Sequence, residues 1–331
     1  MPSVSRRSVL IGGAGLGVVL AGGALGYELI QNGTLPGKYE LARLDGACGS
    51  APSAPSGPAP SRRVVSFFST HRRCQVQVIT LVPAGVSPHG LGLVLALHGS
   101  GSNAAGMAGQ MAPAMTDAGV RGAAVVCVDG GDTYWHKRAD GDDPIGMILH
   151  EVLPRAAAAG LATDRIGVTG ESMGGYGALL LAEQLGGRGV EQSSAFVTLP
   201  SRSAEADAIG SARKAALAMA GPAVAAVAAL SPAIFASYAD ARAANESSFD
   251  SPADFARNSV LAGVRTLRRV PAWIACGDDD PFSAETQEMC DRLAAATGRG
   301  VPGGILSGCH DDAFWERNMP AALHFIARNL P

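Results

Sequence analysis

Aromatic side chains make up only 5% of this chain, so a core drawn from its 331 residues has to be filled mainly by Ala, Val and Leu. Charge is sparse as well. The formal net charge is −3, with the acidic residues dispersed, which leaves no basic footprint for nucleic acid and no acidic block that would form a disordered tail. The six cysteines, at 48, 74, 127, 276, 290 and 309, include no C-x-x-C pair and no metal-ligand spacing. Six cysteines in an exported chain can pair in about fifteen ways. Cys127 and Cys276 fall in apolar runs where a buried free thiol is expected, and Cys309 adjoins a histidine of interest. Dinucleotide and phosphate motifs are missing too. Val18 breaks G-x-G-x-x-G in the glycine cluster at 12–17, and no lysine follows the glycines at 99–101 in phosphate-loop spacing. Neither a metal nor a cofactor is expected.

What the chain does contain begins with Ser5-Arg6-Arg7-Ser8-Val9-Leu10, which looks like a twin-arginine export signal. Residues 8–27 behind it carry no charge and seven glycines. That low hydrophobicity suits an export signal, and residues 1–27 are read as one. As a helix the run would still cover roughly 30 Å, so an uncleaved anchor holding the protein at a membrane is the alternative. The expected location is extracellular or in the cell envelope. Residues 28–63 include a Pro/Ser/Ala tract from Cys48 to Pro60 that cannot pack as a regular element and reads as a linker.

From residue 64 onward, apolar runs alternate with helical patterns. Segments 64–69 and 75–82 read as an antiparallel strand pair, and 91–97 and 120–128 as central strands buried on both faces. Segments 165–168, 223–230, 271–276 and 303–306 follow as strands, with helices at 148–159, about 176–185 and 320–330. Such alternation predicts an α/β fold with a mostly parallel sheet and helices on both faces, over residues 64–331. Segment 193–270 is less regular, with helical patterns at 204–220 and 251–267. An insertion there would lie over the carboxyl ends of the strands as a helical lid or pocket wall, packing filler being the alternative.

The chemistry centres on Gly170-Glu171-Ser172-Met173-Gly174, which fits G-x-S-x-G between a strand and a helix. That pattern places a serine hydroxyl at the tip of a strained turn, with glycines where side chains would collide with backbone. A helix N-cap after a glycine turn would look similar, so the downstream partners decide. A serine nucleophile needs a base, and the base an orienting acid. Only His310 and His324 lie downstream. His324 sits in the terminal helical pattern, whereas His310 follows a short strand in Gly308-Cys309-His310-Asp311, where a loop can swing over the serine. The acid is expected from Gly277-Asp278-Asp279-Asp280-Pro281-Phe282. The three carboxylates lack the alternate spacing of a calcium loop, and the reach of a reverse turn favours Asp280. An oxyanion site needs two amides. Met173 N–H supplies one, and Leu97-His98-Gly99-Ser100-Gly101 offers the other, from Ser100 first and Gly101 second. His98 is expected to pack beside that loop.

Together, Leu97-His98-Gly99-Ser100-Gly101, Gly170-Glu171-Ser172-Met173-Gly174-Gly175, Gly277-Asp278-Asp279-Asp280-Pro281-Phe282 and Gly308-Cys309-His310 resemble the putative-esterase branch of the α/β-hydrolases. That branch includes esterase D (S-formylglutathione hydrolase), feruloyl esterases and the secreted mycolyltransferases. The resemblance spans about 64–330 and implies an α/β-hydrolase fold with the order Ser172…Asp280…His310. It takes the acid from the aspartate of G-x-x-D, again Asp280. Residues 128–136 resemble the family's loop beside the pocket, which would put Tyr134, Trp135 and His136 along the acyl or alcohol site, a purely structural loop being the alternative. Mycolyltransferases lack the His-Gly motif present here. The expected function is a secreted serine carboxylesterase acting on short- to medium-chain esters of small molecules or lipids. The alternatives are an acyltransferase on the same triad and a non-catalytic binding protein on a hydrolase scaffold.

Overall fold

The computed structural model describes residue 46 and residues 48–186 and 222–331. The expected export signal, residues 8–27 and the helical pattern at 204–220 lie outside the described residues. The ordered alternation opens with β1 (Ser61–Ser69) and β2 (Cys74–Val82), an antiparallel pair in which Ser69 faces Cys74. β1 thus takes in residues 61–63, the end of the tract read as a linker. Next come β3 (Gly92–Leu97), α1 (Ala104–Asp117) and β4 (Ala123–Val128). Asn103 starts α1 by accepting hydrogen bonds from the amides of Ala105 and Gly106 through its side chain.

The helix expected at 148–159 begins earlier, as α2 (Pro144–Met147). It passes through a π-helical turn at Ile148–Val152 and ends as α3 (Leu153–Ala158). Pro154 has no N–H to return to His150, and the wider π turn accommodates its ring. β5 (Ala162–Glu171) and α4 (Met173–Gly186) are separated by Ser172 alone. Then follow β6 (Ala223–Leu230), α5 (Tyr238–Ala244), α6 (Pro252–Asn258), α7 (Val264–Leu267), β7 (Ala272–Asp279), α8 (Ser283–Thr297), β8 (Gly303–Cys309) and α9 (Asp312–Asn329). The single helical pattern at 251–267 is two short helices, α6 and α7, interrupted at 259–263. The terminal helix starts at Asp312 rather than 320, because the Asp311 carboxylate caps it by accepting from Phe314 N–H. Pro320 sits inside that helix, where it has no N–H to donate to Glu316 O.

The eight strands form one sheet in the order β1-β2-β4-β3-β5-β6-β7-β8. β1, β2 and β4 pair antiparallel, and every pairing from β4 through β3 to β8 is parallel. β6 lies in the middle of this sheet, so segment 193–270 is not wholly an insertion. Its described remainder is the layer of α5, α6 and α7. Period-2 alternation sends Leu93, Leu95 and Leu97 to a core beneath α4, and Val94 and Ala96 to a second core beneath α1 and α9. Both faces are therefore dry, and each fully buried leucine there contributes roughly 1.5–3 kcal/mol. Among the described residues no helix is long and apolar enough to cross a membrane.

Candidate active site

The parallel topology brings the carboxyl ends of β3, β5, β7 and β8 to one edge of the sheet, and the candidate residues sit on the turns that leave them. Ser172 adopts φ 54, a left-handed conformation that is strained for a side chain with a Cβ. The turn is held from three sides. Ser172 N–H donates to Leu230 O at 3.0 Å, and Ser172 O accepts from Tyr176 N–H and Ala233 N–H, each at 3.0 Å. A Cβ at Gly170 would strike the Gly174 carbonyl, and one at Gly174 the Leu97 carbonyl. This crowding explains both glycines of G-x-S-x-G: helix α4 starts where β5 and β3 leave no room for side chains.

His310, in the turn after β8, lies with Nε2 2.9 Å from Ser172 Oγ and Nδ1 2.8 Å from Asp280 Oδ2. The serine hydroxyl can donate to Nε2 while Nδ1–H donates to the carboxylate. Asp280 is fully buried and also accepts from Phe282 N–H through Oδ1 at 2.9 Å. Burial by itself would raise this carboxyl. The His310 hydrogen bond and charge, joined by the Phe282 amide, outweigh it and hold the pKa below the ordinary aspartate value. The neighbouring carboxylates are placed elsewhere. β7 runs on to Asp279, Asp278 Oδ1 accepts from Gly308 N–H at 2.9 Å and ties β7 to β8, and Asp279 stands opposite Cys309 in the sheet. Phe282 and Trp315 meet the His310 ring edge-on from two sides, at 5.2 and 5.1 Å between centroids.

The turn after β3 comes so close that a Cβ on Gly99 would lie 3.3 Å from Ser172 Cβ. Gly99 N–H donates to Glu171 Oε1 at 3.1 Å and Gly101 N–H to Asp132 Oδ1 at 2.7 Å. The Ser100 amide, between them, makes no hydrogen bond among the described residues. Of the two amides offered by this turn, Gly101 is therefore committed and Ser100 is available. Met173 N–H opens α4 beside it. His98 Nε2 accepts from Gly130 N–H at 3.0 Å, so Nδ1 carries the proton and donates to Gly99 O at 2.7 Å. Burial lowers the His98 pKa against the pull of that carbonyl, and the ring is a neutral strut.

Tyr134, Trp135 and His136 depart from expectation. Trp135 and His136 are fully buried and Tyr134 is 4% exposed, so they do not line an open cleft. Trp135 fills the space left by Gly130 and Gly177, packs edge-on against His98 and donates Nε1–H to His98 O at 3.3 Å. His136 bonds Ser248 O at 3.1 Å and stacks on Phe249, with Asp254 3.7 Å away. Tyr134 packs among Tyr176, Phe235 and Phe249. The loop is a buttress under the turn after β3, and paired small residues at 130 and 177 were its sequence signal.

A second feature escaped sequence reasoning. Cys48 forms a disulfide with Cys309, the residue before His310. The one grouping of potential metal ligands among the described residues, Cys48, Cys309 and Asp311, is closed by this bond because both sulfurs are used. A cysteine stranded in a Pro/Ser/Ala tract was the available hint.

The family model described as putative esterase matches residues 69–325. A search of curated proteins finds no match by sequence. Among solved structures, a ferulic acid esterase is 17% identical with a TM-score of 0.57, covering 81% of this chain and 99% of its own. An S-formylglutathione hydrolase from Agrobacterium tumefaciens is 15% identical at a TM-score of 0.58, covering 83% and 99%. A thermostable esterase from Pseudomonas putida ECU1011 is 17% identical at 0.59, covering 100% and 99%. At such identities the structural likeness establishes the fold.

Proposed function

This chain belongs to the putative esterase family of α/β-hydrolases, and from that premise we propose that it is a secreted serine carboxylesterase working through Ser172, His310 and Asp280. The observation that carries the reading is the continuous hydrogen-bonded series Ser172 Oγ, His310 Nε2, His310 Nδ1, Asp280 Oδ2. Ser172 Oγ attacks the ester carbonyl as its proton passes to Nε2. The carbonyl π electrons move onto oxygen, where the amides of Met173 and Ser100 meet the charge. On collapse the C–O bond to the alcohol breaks, and the imidazolium returns its proton to the leaving oxygen. Water, deprotonated by the same imidazole, then cleaves the acyl-enzyme and frees the acid. Asp280 keeps the imidazole in one tautomer and stabilises its cation.

Substrate and location belong to the same proposal. The substrates proposed are short- to medium-chain esters, with the half-buried Phe282 ring, 5.2 Å from that of His310, as the apolar side chain beside the reacting centre. Export to an oxidising compartment is supported by the Cys48–Cys309 disulfide, since such bonds persist there, and the twin-arginine route by Ser5-Arg6-Arg7-Ser8-Val9-Leu10. The test is fluorophosphonate labelling and turnover of an ester panel of graded acyl length, with and without an added alcohol. Ser172→Ala is expected to lose labelling and nearly all turnover. Normal turnover by that variant overturns the mechanism, and acylated alcohol as the main product makes the protein an acyltransferase.

A further inference from the structure

The carboxyl groups of Glu171 and Asp132 stand in no step of the reaction above, yet both bond the turn that follows β3. Glu171 is 1% exposed, and its Oε1 accepts the Gly99 amide at 3.1 Å from directly beneath the serine turn. Asp132 reaches the same turn from solvent. Its Oδ1 accepts Ser100 Oγ–H at 3.0 Å and Gly101 N–H at 2.7 Å. The turn closes with Ser102 N–H on Gly99 O at 3.3 Å and holds Gly101 at φ 74. Of three successive amides, the outer two are thus bound by carboxyls and the middle one, that of Ser100, is left without a partner.

We propose that Glu171 and Asp132 are positioning residues that clamp this turn from below and above and thereby hold the Ser100 amide toward the oxyanion. The inference rests on the esterase reading of Ser172. An oxyanion donor acts by being oriented before charge develops, and loss of one such donor costs about 10²–10³ in kcat. The Ser100 N–H shares its peptide plane with Gly99 O, which accepts from His98 Nδ1–H at 2.7 Å and Ser102 N–H at 3.3 Å. The two carboxyls hold the planes on either side, so turning this N–H away breaks the bonds to Gly99 O. The two carboxyls differ in a way that suits their places. Burial, with the Asp312 charge adding to it and the Gly99 amide opposing it, pushes Glu171 up to about 8, so it sits under the reacting centre as a neutral acid at pH 7. Asp132 lies at the exposed surface, where water and salt screen its charge from the oxyanion.

The test compares Glu171→Gln, Glu171→Ala, Asp132→Ala and Ser172→Ala in steady-state hydrolysis of 4-nitrophenyl acetate and butyrate, with thermal melting of each variant. Glu171→Gln keeps an oxygen acceptor for Gly99 without a charge and is expected to stay within about threefold of the parent kcat. Glu171→Ala and Asp132→Ala are expected to lower kcat roughly 10- to 100-fold, short of the full cost of a lost donor, with KM changed less than about threefold. A role confined to folding would move the melting temperature and the active fraction alike in Gln and Ala variants. Asp132 is exposed, so its variant decides the matter even if Glu171→Ala fails to fold. Wild-type kcat in Asp132→Ala, or a loss lying wholly in KM, overturns the clamp. Retained activity in Ser172→Ala overturns the esterase reading instead.

Discussion

Reducing the Cys48–Cys309 disulfide tests how the two ends of the catalytic unit are held. The bond closes a loop of sequence separation 261, nearly the whole described chain. In the chain-entropy account, opening a loop of that length releases about 18.7 cal/mol/K to the unfolded ensemble, roughly 5.6 kcal/mol at 25 °C. Many domains have only about 5–15 kcal/mol of net stability, so a loss of this size would be severe. In the folded state the tract stays partly docked. Arg317 donates to Ser50 O at 2.9 Å and to Cys48 O at 3.0 Å. These bonds are present with or without the disulfide and leave the unfolded-state term untouched. Because disulfides commonly deliver less than the chain-entropy figure, we expect a net loss of about 3–5 kcal/mol, or roughly 5–10 °C in melting temperature. The assay is thermal melting with and without dithiothreitol, with thiols counted by alkylation and mass, alongside Cys48→Ala. Cys309 precedes His310, so the rate of fluorophosphonate labelling reports whether the imidazole has lost its place. An unchanged melting temperature in protein proven to carry two additional thiols would refute the reasoning.

Asp280→Asn is expected to lower kcat on the order of 10⁴-fold at pH 8, because the amide favours the wrong imidazole tautomer. Asp279→Asn should change it little, and steady-state kinetics in which Asp279→Asn did the greater harm would reassign the acid. Glu171 makes a second prediction, in stability. Its folded pKa of about 8 lies above its unfolded value, so its contribution is fully present below about pH 4.5 and is lost as pH rises towards 8. Urea unfolding should show the parent losing about 2 kcal/mol relative to Glu171→Gln between pH 6 and pH 8, and parallel curves would refute the assignment of a neutral acid. Replacing Arg6 and Arg7 by lysine should leave the protein in the cytoplasm, measured by fractionation, since the twin arginines are read by a receptor. Unimpeded export would point to another route or an anchor.

Much of the fold was legible in the sequence because its signals are local. Unbroken apolar runs such as 91–97 mark strands buried on both faces, and the spacing of Gly170, Ser172 and Gly174 marks a turn too tight for side chains. The residues that meet, Ser172, Asp280 and His310, could be nominated because each leaves the carboxyl end of a strand, and parallel pairing gathers those ends on one edge. Which aspartate meets the histidine depended on register: β7 runs on through Asp279, opposite Cys309, so only Asp280 turns free beside His310. Trp135 looked like a pocket residue because exposure has no local signature, and its burial depends on two glycines, 130 and 177, brought together by packing. The same holds for Cys48, whose partner lies 261 residues away, and for Glu171, whose sequence neighbours do not reveal the Gly99 amide above it. Local pattern determined the elements and the turn chemistry. Contacts between distant segments, and the desolvation they impose on buried carboxyls, were decided by the packed sheet alone.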